Sequence, residues 1–325
     1  MTVRQPAEWA PHRAIWTAWP SNASLWKDDL EPARVEVAAL VKAIVEAGGE
    51  AVELLVDGEA AEASARAVFL AHPSVRLHRR KFGDIWLRDT GPIFLSDGGA
   101  AGFRFNGWGG KYDLEGDAEV AAFVAGAEGA RFRRHDWVLE GGAIDVDGTG
   151  RALTTRQCLL NPNRNPTLGQ ADIERRLAED LGLDRVVWLG DGLANDHTDG
   201  HVDNLARFVA EGVVALPEPA GKDDPNADAY TDARRVVEAA GLDVAPIPSP
   251  GLVEVDGDPI PASYMNFLIT NRKVLIPVYG RPNDDRAVAA IAALFPGREA
   301  VGLRADHILT GGGSLHCITQ QVPAL

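Results

Sequence analysis

The chain reads as an α/β protein made of five pseudosymmetric strand–strand–helix–strand repeats closed into a ring. Three observations carry that reading. Acidic-Gly or Asn-Arg pairs fall between short apolar runs, which is how hairpin turns look in sequence. A stretch with apolar residues at three- and four-residue spacing follows each hairpin, as in an amphipathic helix, and another short apolar run comes after it. The pattern repeats from near residue 91 onward, and one further unit is divided between the two ends of the chain.

The elements follow in order. AIWTAWP predicts a strand, residues 31–48 a helix and AVELLV a second strand. Residues 58–90 add an extra helix and strand. GPIFLS then turns at Asp97-Gly98 into AAGFRFN, with a helix near 116–127 and the strand RFRRHDW. GGAIDV turns at Asp147-Gly148 into RALTT, followed by a helix near 168–182 and RVVWLG. HVDNLARFV turns at Glu211-Gly212 into VVALP, followed by a helix near 226–241 and DVAPIP. YMNFLIT turns at Asn271-Arg272 into KVLIPVYG, followed by a helix near 282–295 and AVGLR. SLHCITQQV supplies only half a hairpin, and pairing it with AIWTAWP closes the ring. The expectation is a five-bladed α/β propeller, an architecture with few open sheet edges. No proline-rich or serine-rich linker divides the chain, so residues 1–325 are expected to form one domain.

Composition narrows the function. Lys and Arg number 32 against 47 Asp and Glu, a formal net charge of -15. That balance argues against a nucleic-acid partner, whose phosphates need a basic surface. It is compatible with a cationic small molecule, although a net acidic surface mostly serves solubility. MTVRQPAEWAPHRAIW lacks the apolar run of a signal peptide, and no apolar stretch is long enough to suggest a membrane span. Two cysteines are too few for a disulfide framework, and a reducing cytoplasm is the natural reading.

The segments entering the first strand of each unit would point at the centre of the ring. They hold Asp89, Glu140, His201, Asp203, Asn266 and Cys317. Polar groups from separate strands that converge on one cleft make a binding site. Each has an ordinary reading too. Cys317 could be an inert buried thiol, as Cys158 is taken to be. Asp89, next to Arg88, could serve an ion pair or a turn. Glycines 311–313 could simply permit a tight turn. The pair His197 and His201 with Asp199 and Asp203 invites a metal, but Asp199-Gly200 disfavours the helix a zincin motif needs, and no metal site is expected. On a strand, His201 and Asp203 share a face while Val202 points away.

Together, a cysteine, a histidine and two aspartates supply a nucleophile, an acid/base and two anionic clamps. Two carboxylates suit a planar cation with several N–H donors, which describes a guanidinium. A thiolate can attack its central carbon once that carbon is oriented and a proton reaches the leaving nitrogen.

In this order, WLRDTGP, LEGGAIDVDG, LLNPNRNP, DGHVDN and GGGSLHCITQQVP resemble the agmatine deiminase and Porphyromonas-type peptidyl-arginine deiminase family, from about Trp16 to Pro323. The resemblance implies the five-bladed pentein fold and no metal or organic cofactor. It places the nucleophile on Cys317, the acid/base on His201 and the guanidinium-binding carboxylates on Asp89 and Asp203. Trp86 and Asn266 become pocket walls. One position departs from the pattern. Where members similar to agmatine deiminase often have an acidic residue near the substrate's far ammonium, this chain has His197, with Asp196 beside it. Asp196 is therefore the candidate for that end.

The implied reaction converts agmatine to N-carbamoylputrescine and ammonia through a covalent S-alkylthiouronium on Cys317. The alternatives are a deiminase for peptidyl arginine or another guanidine, a papain-like thiol hydrolase, and a non-catalytic binding protein on the same ring. A papain-like enzyme usually sets its cysteine at a helix N-terminus, whereas Cys317 lies in strand-like sequence. The chain has no evident peptide-binding extension, and oligomeric state is not legible.

Overall fold

The computed structural model describes residues 3–69, 72–255 and 257–324. It opens with β1 (His12–Ala18), the helix Leu30–Val45, β2 (Ala51–Val56), the helix Gly58–Phe69 and β3 (Val75–Arg79). The next unit has β4 (Ile93–Phe94), β5 (Gly99–Arg104), the helix Asp117–Ala127 and β6 (Arg131–Val138). It is followed by β7 (Asp145–Val146), β8 (Arg151–Thr155), the helix Gln170–Leu181 and β9 (Arg185–Leu189). Then come β10 (Arg207–Ala210), β11 (Val213–Glu218), the helix Ala227–Ala239 and β12 (Asp243–Pro248). After a small hairpin of β13 (Glu254–Val255) and β14 (Asp258–Pro259) come β15 (Leu268–Ile269), β16 (Lys273–Val278), the helix Asp284–Leu294 and β17 (Glu299–Arg304). β18 (Thr319–Pro323) ends the set.

Each unit has the expected local wiring. Within β4–β6, β7–β9, β10–β12 and β15–β17 the first two strands pair antiparallel, and a helical crossover returns the third parallel to the second. The remaining sheet runs β18-β1-β2-β3. β18 lies antiparallel to β1, with Trp16 opposite Gln320 and Thr17 opposite Thr319. Thr17 Oγ1 also donates to Ile318 O at 2.9 Å, and Gln320 Nε2 to Pro92 O at 2.7 Å. The last strand thus ties β1 to the segment leading into β4.

The crossover helices are held by one apolar face. In Leu30–Val45 the buried set includes Ala33, Val37, Leu40, Val41 and Ile44, spaced three and four apart. Each larger side chain so removed from water contributes about 1.5–3 kcal/mol. The largest apolar cluster runs from Ala14 to Val322 and includes Cys317. Among the described residues no helix is long and apolar enough to cross a membrane.

The first strand of each hairpin is shorter than its sequence suggests. HVDNLARFV becomes a strand only at Arg207, YMNFLIT only at Leu268 and SLHCITQQV only at Thr319. The residues ahead of those points turn instead, and they carry the polar groups of the site.

Candidate active site

Asp89 sits in a single helical turn, Leu87–Thr90. Asp203 lies in the 3-10 turn Val202–Asn204, directly after His201. The strand alternation expected for His201 and Asp203 is therefore not what aligns them. Thr198 Oγ1 accepts the His201 backbone N–H at 3.0 Å, which starts the turn instead of a ladder. Cys317, expected in a strand, occupies the turn before β18. Asn266 holds that turn: its Oδ1 accepts the backbone N–H groups of His316 at 2.9 Å and Cys317 at 3.2 Å.

These turns meet around Gly142 of the LEGG segment. A Cβ there would stand 2.6 Å from His201 Nδ1 and 3.1 Å from both Asp203 Oδ2 and Asp89 Oδ1. Only a glycine lets the three side chains approach one backbone position. Gly142 N–H donates to Asp89 Oδ1 at 3.0 Å, and Trp108 Nε1 donates to Asp89 Oδ2 at 2.9 Å. His201 Nδ1 lies 3.7 Å from Asp89 Oδ1. Cys317 Sγ lies 3.7 Å from Asp203 Oδ2 and accepts from Asn266 Nδ2 at 3.1 Å.

A cavity of about 390 Å³ opens onto this cluster, lined among others by Trp86, Asp89, Trp108, His197 and Cys317. His201 and Asp203 are fully buried behind its floor. Trp86 lines this cavity. Asp84 anchors it, accepting from Trp86 Nε1 at 2.8 Å and from Trp26 Nε1 at 2.9 Å, so that the two indoles stack. The glycine run does more than turn. A Cβ on Gly313 would lie 2.6 Å from the Trp86 ring and 3.1 Å from Cys317 Sγ, so its bareness makes room for both.

Asp196 does not line this cavity. Its Oδ1 accepts from the Thr198 backbone N–H and hydroxyl, and its Oδ2 from Asn204 Nδ2 at 3.2 Å. The carboxylate is occupied in shaping the loop that carries His201. His197 reaches the rim instead, with Nδ1 3.2 Å from Tyr112 Oη. His197 and His201 therefore face different surroundings. Asp199 turns away to Lys111 Nζ at 2.6 Å and to Arg164.

The donor set nearest to a metal site is Glu140, Cys158 and His201, whose ligand atoms lie within 4.8 Å of one another. Glu140 Oε1 already accepts from Arg164 Nε at 2.7 Å. The sequence assigns Cys158 no role, yet its sulfur lies within 4.8 Å of a His201 ring nitrogen. Trp108, Asp84 and Glu8 are not among the residues to which the sequence points. Trp108 alone left a trace, as a tryptophan between glycines in NGWGG.

Burial, reinforced by Asp203 and Asp89, pushes the Cys317 thiol well above its ordinary range. Burial also opposes charge on His201, but Asp89, Cys158 and Glu140 win and raise it well above an ordinary histidine. Burial raises Asp89 despite the help of His201. For Asp203 burial is outweighed by the hydrogen bond and charge of His316, which hold it below the ordinary carboxylate range. These directions favour a protonated His201 beside Asp89, a neutral Cys317 thiol and an ionised Asp203 held by His316.

The chain matches the model of the Porphyromonas-type peptidyl-arginine deiminase family over residues 4–323. It is 40% identical to a Stutzerimonas stutzeri protein named agmatine deiminase, over 98% of this chain and 95% of that one. Among solved structures it resembles an agmatine deiminase of Enterococcus faecalis, at 32% identity and a TM-score of 0.92, covering 99% of this chain and 96% of the other. It also resembles a cysteine-to-serine agmatine deiminase of C. jejuni with substrate bound, at 27% identity and a TM-score of 0.92, covering 99% and 97% of the two chains.

Proposed function

The chain belongs to the Porphyromonas-type peptidyl-arginine deiminase family, and from that membership and the site geometry we propose that it hydrolyses agmatine to N-carbamoylputrescine and ammonia. The observation that carries the reading is the Cys317 thiol, which opens into an indole-walled cavity with Asp89 beside it and Asp203 3.7 Å away. The guanidinium binds over Asp89 and Asp203, and its positive charge offsets the two carboxylates that hold the thiol neutral. The Cys317 proton is then lost more readily, to solvent through the open cavity, and the thiolate attacks the guanidinium carbon. His201 donates a proton to the departing nitrogen, which leaves as ammonia, and an S-alkylthiouronium remains on Cys317. The neutral His201 next takes one proton from water as its oxygen attacks the same carbon, and the C–S bond breaks as the remaining hydroxyl proton passes to the departing sulfur, which leaves the carbamoyl product and the Cys317 thiol. No metal or organic cofactor enters the scheme.

The same reading takes residues 1–325 as one domain with its five three- and four-stranded sheets arranged radially as propeller blades. The pairing of β18 with β1 supports it, because that contact joins the two ends of the series.

A second reading has an observation of its own. Tyr112, His197, Thr310 and Gly312 at the rim also line a shallower cavity of about 510 Å³, which would suit a guanidine with a larger tail, peptidyl arginine included. Steady-state assays with agmatine, free arginine and an arginyl peptide separate the two. Agmatine is expected to be the best substrate. A better kcat/KM for the peptide moves the assignment to peptidyl arginine. Absence of ammonia from all three, even in a single turnover, leaves a binding protein.

A further inference from the structure

His316, beside the nucleophile, has no part in the scheme above, yet both of its ring nitrogens face carboxylates. Nδ1 lies 2.8 Å from Asp203 Oδ2 and Nε2 lies 2.7 Å from Glu8 Oε2. A carboxylate accepts and does not donate when ionised, so two such partners require a proton on each nitrogen. Glu8 is itself fixed. Its Oε2 also accepts from Arg207 Nη2 at 2.6 Å, its Oε1 from the Ile269 backbone N–H at 2.7 Å, and Arg88 Nη2 stands 4.0 Å away.

Charge counting agrees. Arg207 also donates to Asp145 Oδ2, so the buried groups facing one another here are the carboxylates of Glu8, Asp145 and Asp203 and the guanidinium groups of Arg88 and Arg207. A protonated His316 supplies the third positive charge that matches these three carboxylates. An uncompensated charge in such surroundings is strongly destabilising. The neighbouring Cys317 thiol is neutral and adds nothing to the count.

We propose that His316 is an imidazolium clamped between Glu8 and Asp203, and that it is the positioning residue that keeps Asp203 ionised and oriented for a guanidinium. His316 takes Asp203 Oδ2, while Oδ1, buried and without a partner among the described residues, stays available to accept from substrate. Glu8, near the start of the chain, therefore supports the substrate clamp through one imidazole ring. The proposal rests on the deiminase reading for its role in catalysis but not for its charge state.

The test has two arms. In the full-length wild-type protein, ¹⁵N spectra of the His316 ring, assigned through the backbone, are recorded at about pH 7. Both nitrogens are expected to be protonated, and a neutral tautomer overturns the proposal. In the other arm, kcat/KM for agmatine is followed against pH in His316→Gln and His316→Asn, each checked for folding by circular dichroism. The Asn amide can replace the donor to Asp203 without its charge, whereas the longer Gln amide cannot occupy the same place. The acid limb is expected to move upward by about one pH unit or more in the Gln variant, a tenfold change in the ionised fraction, with KM rising more than kcat falls. Asn is expected to restore part of the loss. An unshifted acid limb in both folded variants overturns the positioning role. If the wild type releases no ammonia from agmatine, the deiminase reading fails instead, and the spectra still decide the charge of His316.

Discussion

The sulfur of Cys317 lies 3.7 Å from Asp203 Oδ2, and both groups are buried. A thiolate beside a carboxylate with little water is unfavourable, which is why the free thiol stays protonated. Its reactivity should therefore depend on the charge of what approaches. A cationic haloamidine is expected to alkylate Cys317 at least about tenfold faster than neutral iodoacetamide at the same pH, because the carboxylates attract the first and not the second. Equal rates, read by mass spectrometry of the modified peptide, would show that the carboxylates do not control the thiol.

Asp89 and Asp203 should respond oppositely to loss of charge. Asp89 is raised above its unfolded value, so it favours folding most at low pH and loses that contribution as pH rises through its folded value. Asp203 is lowered, so its contribution is present above the unfolded carboxylate range and disappears as pH falls through its folded value. At neutral pH, Asp89→Asn is expected to raise Tm and Asp203→Asn to lower it. Both should lose kcat/KM by about two to four orders of magnitude, as for a charged pair broken from one side at about 3–5 kcal/mol. Asp199→Asn, whose carboxylate faces Lys111 and Arg164, should cost far less activity. Wild-type kcat/KM in both clamp variants would end the guanidinium assignment.

Gly142→Ala places a methyl against His201, Asp203 and Asp89 together. Overpacking of this kind costs about 1–3 kcal/mol of stability. The larger effect is expected on turnover, since all three groups must yield. Near-normal kcat in a folded Gly142→Ala protein would mean that the three do not need their present spacing.

The two thiols should separate cleanly. Cys317→Ser is expected to abolish turnover with the fold intact. Cys158→Ser, which keeps a polar group against His201, should retain most activity. Comparable loss in both would assign Cys158 a part in the chemistry.

Dialysis against a strong chelator should leave activity unchanged. Activity lost with chelator and restored by zinc would show that Glu140, Cys158 and His201 serve as ligands.

What could be read in advance followed from period and pairing. The crossover helices and the inner strands fell near their expected places, because apolar spacing alone decides which face of a helix or run is buried. The entry segments misled because their hydrogen bonds go to side chains. His316 and Cys317 give their backbone N–H groups to Asn266 Oδ1, and His201 gives its own to Thr198 Oγ1, so strand-like sequence becomes turn. Asp196 lies outside the cavity at Cys317 for a related reason: Thr198 and Asn204 claim its oxygens locally. Glu8 could not have been found, since it lies in an aperiodic stretch and its partner His316 is 308 positions away in sequence.

The pairing of β18 with β1 also governs when the molecule can be finished. Val322 and Gln320 lie beside Ala14 and Trp16, so the sheet that β1 opens waits for a strand made far later along the chain. Contacts of such separation slow folding, and here they cannot form while β18 is still inside the ribosome. Cys317 arrives with that same segment. A nascent chain that has not yet reached β18 lacks both Cys317 and the strand that pairs with β1, so the two enter the fold together.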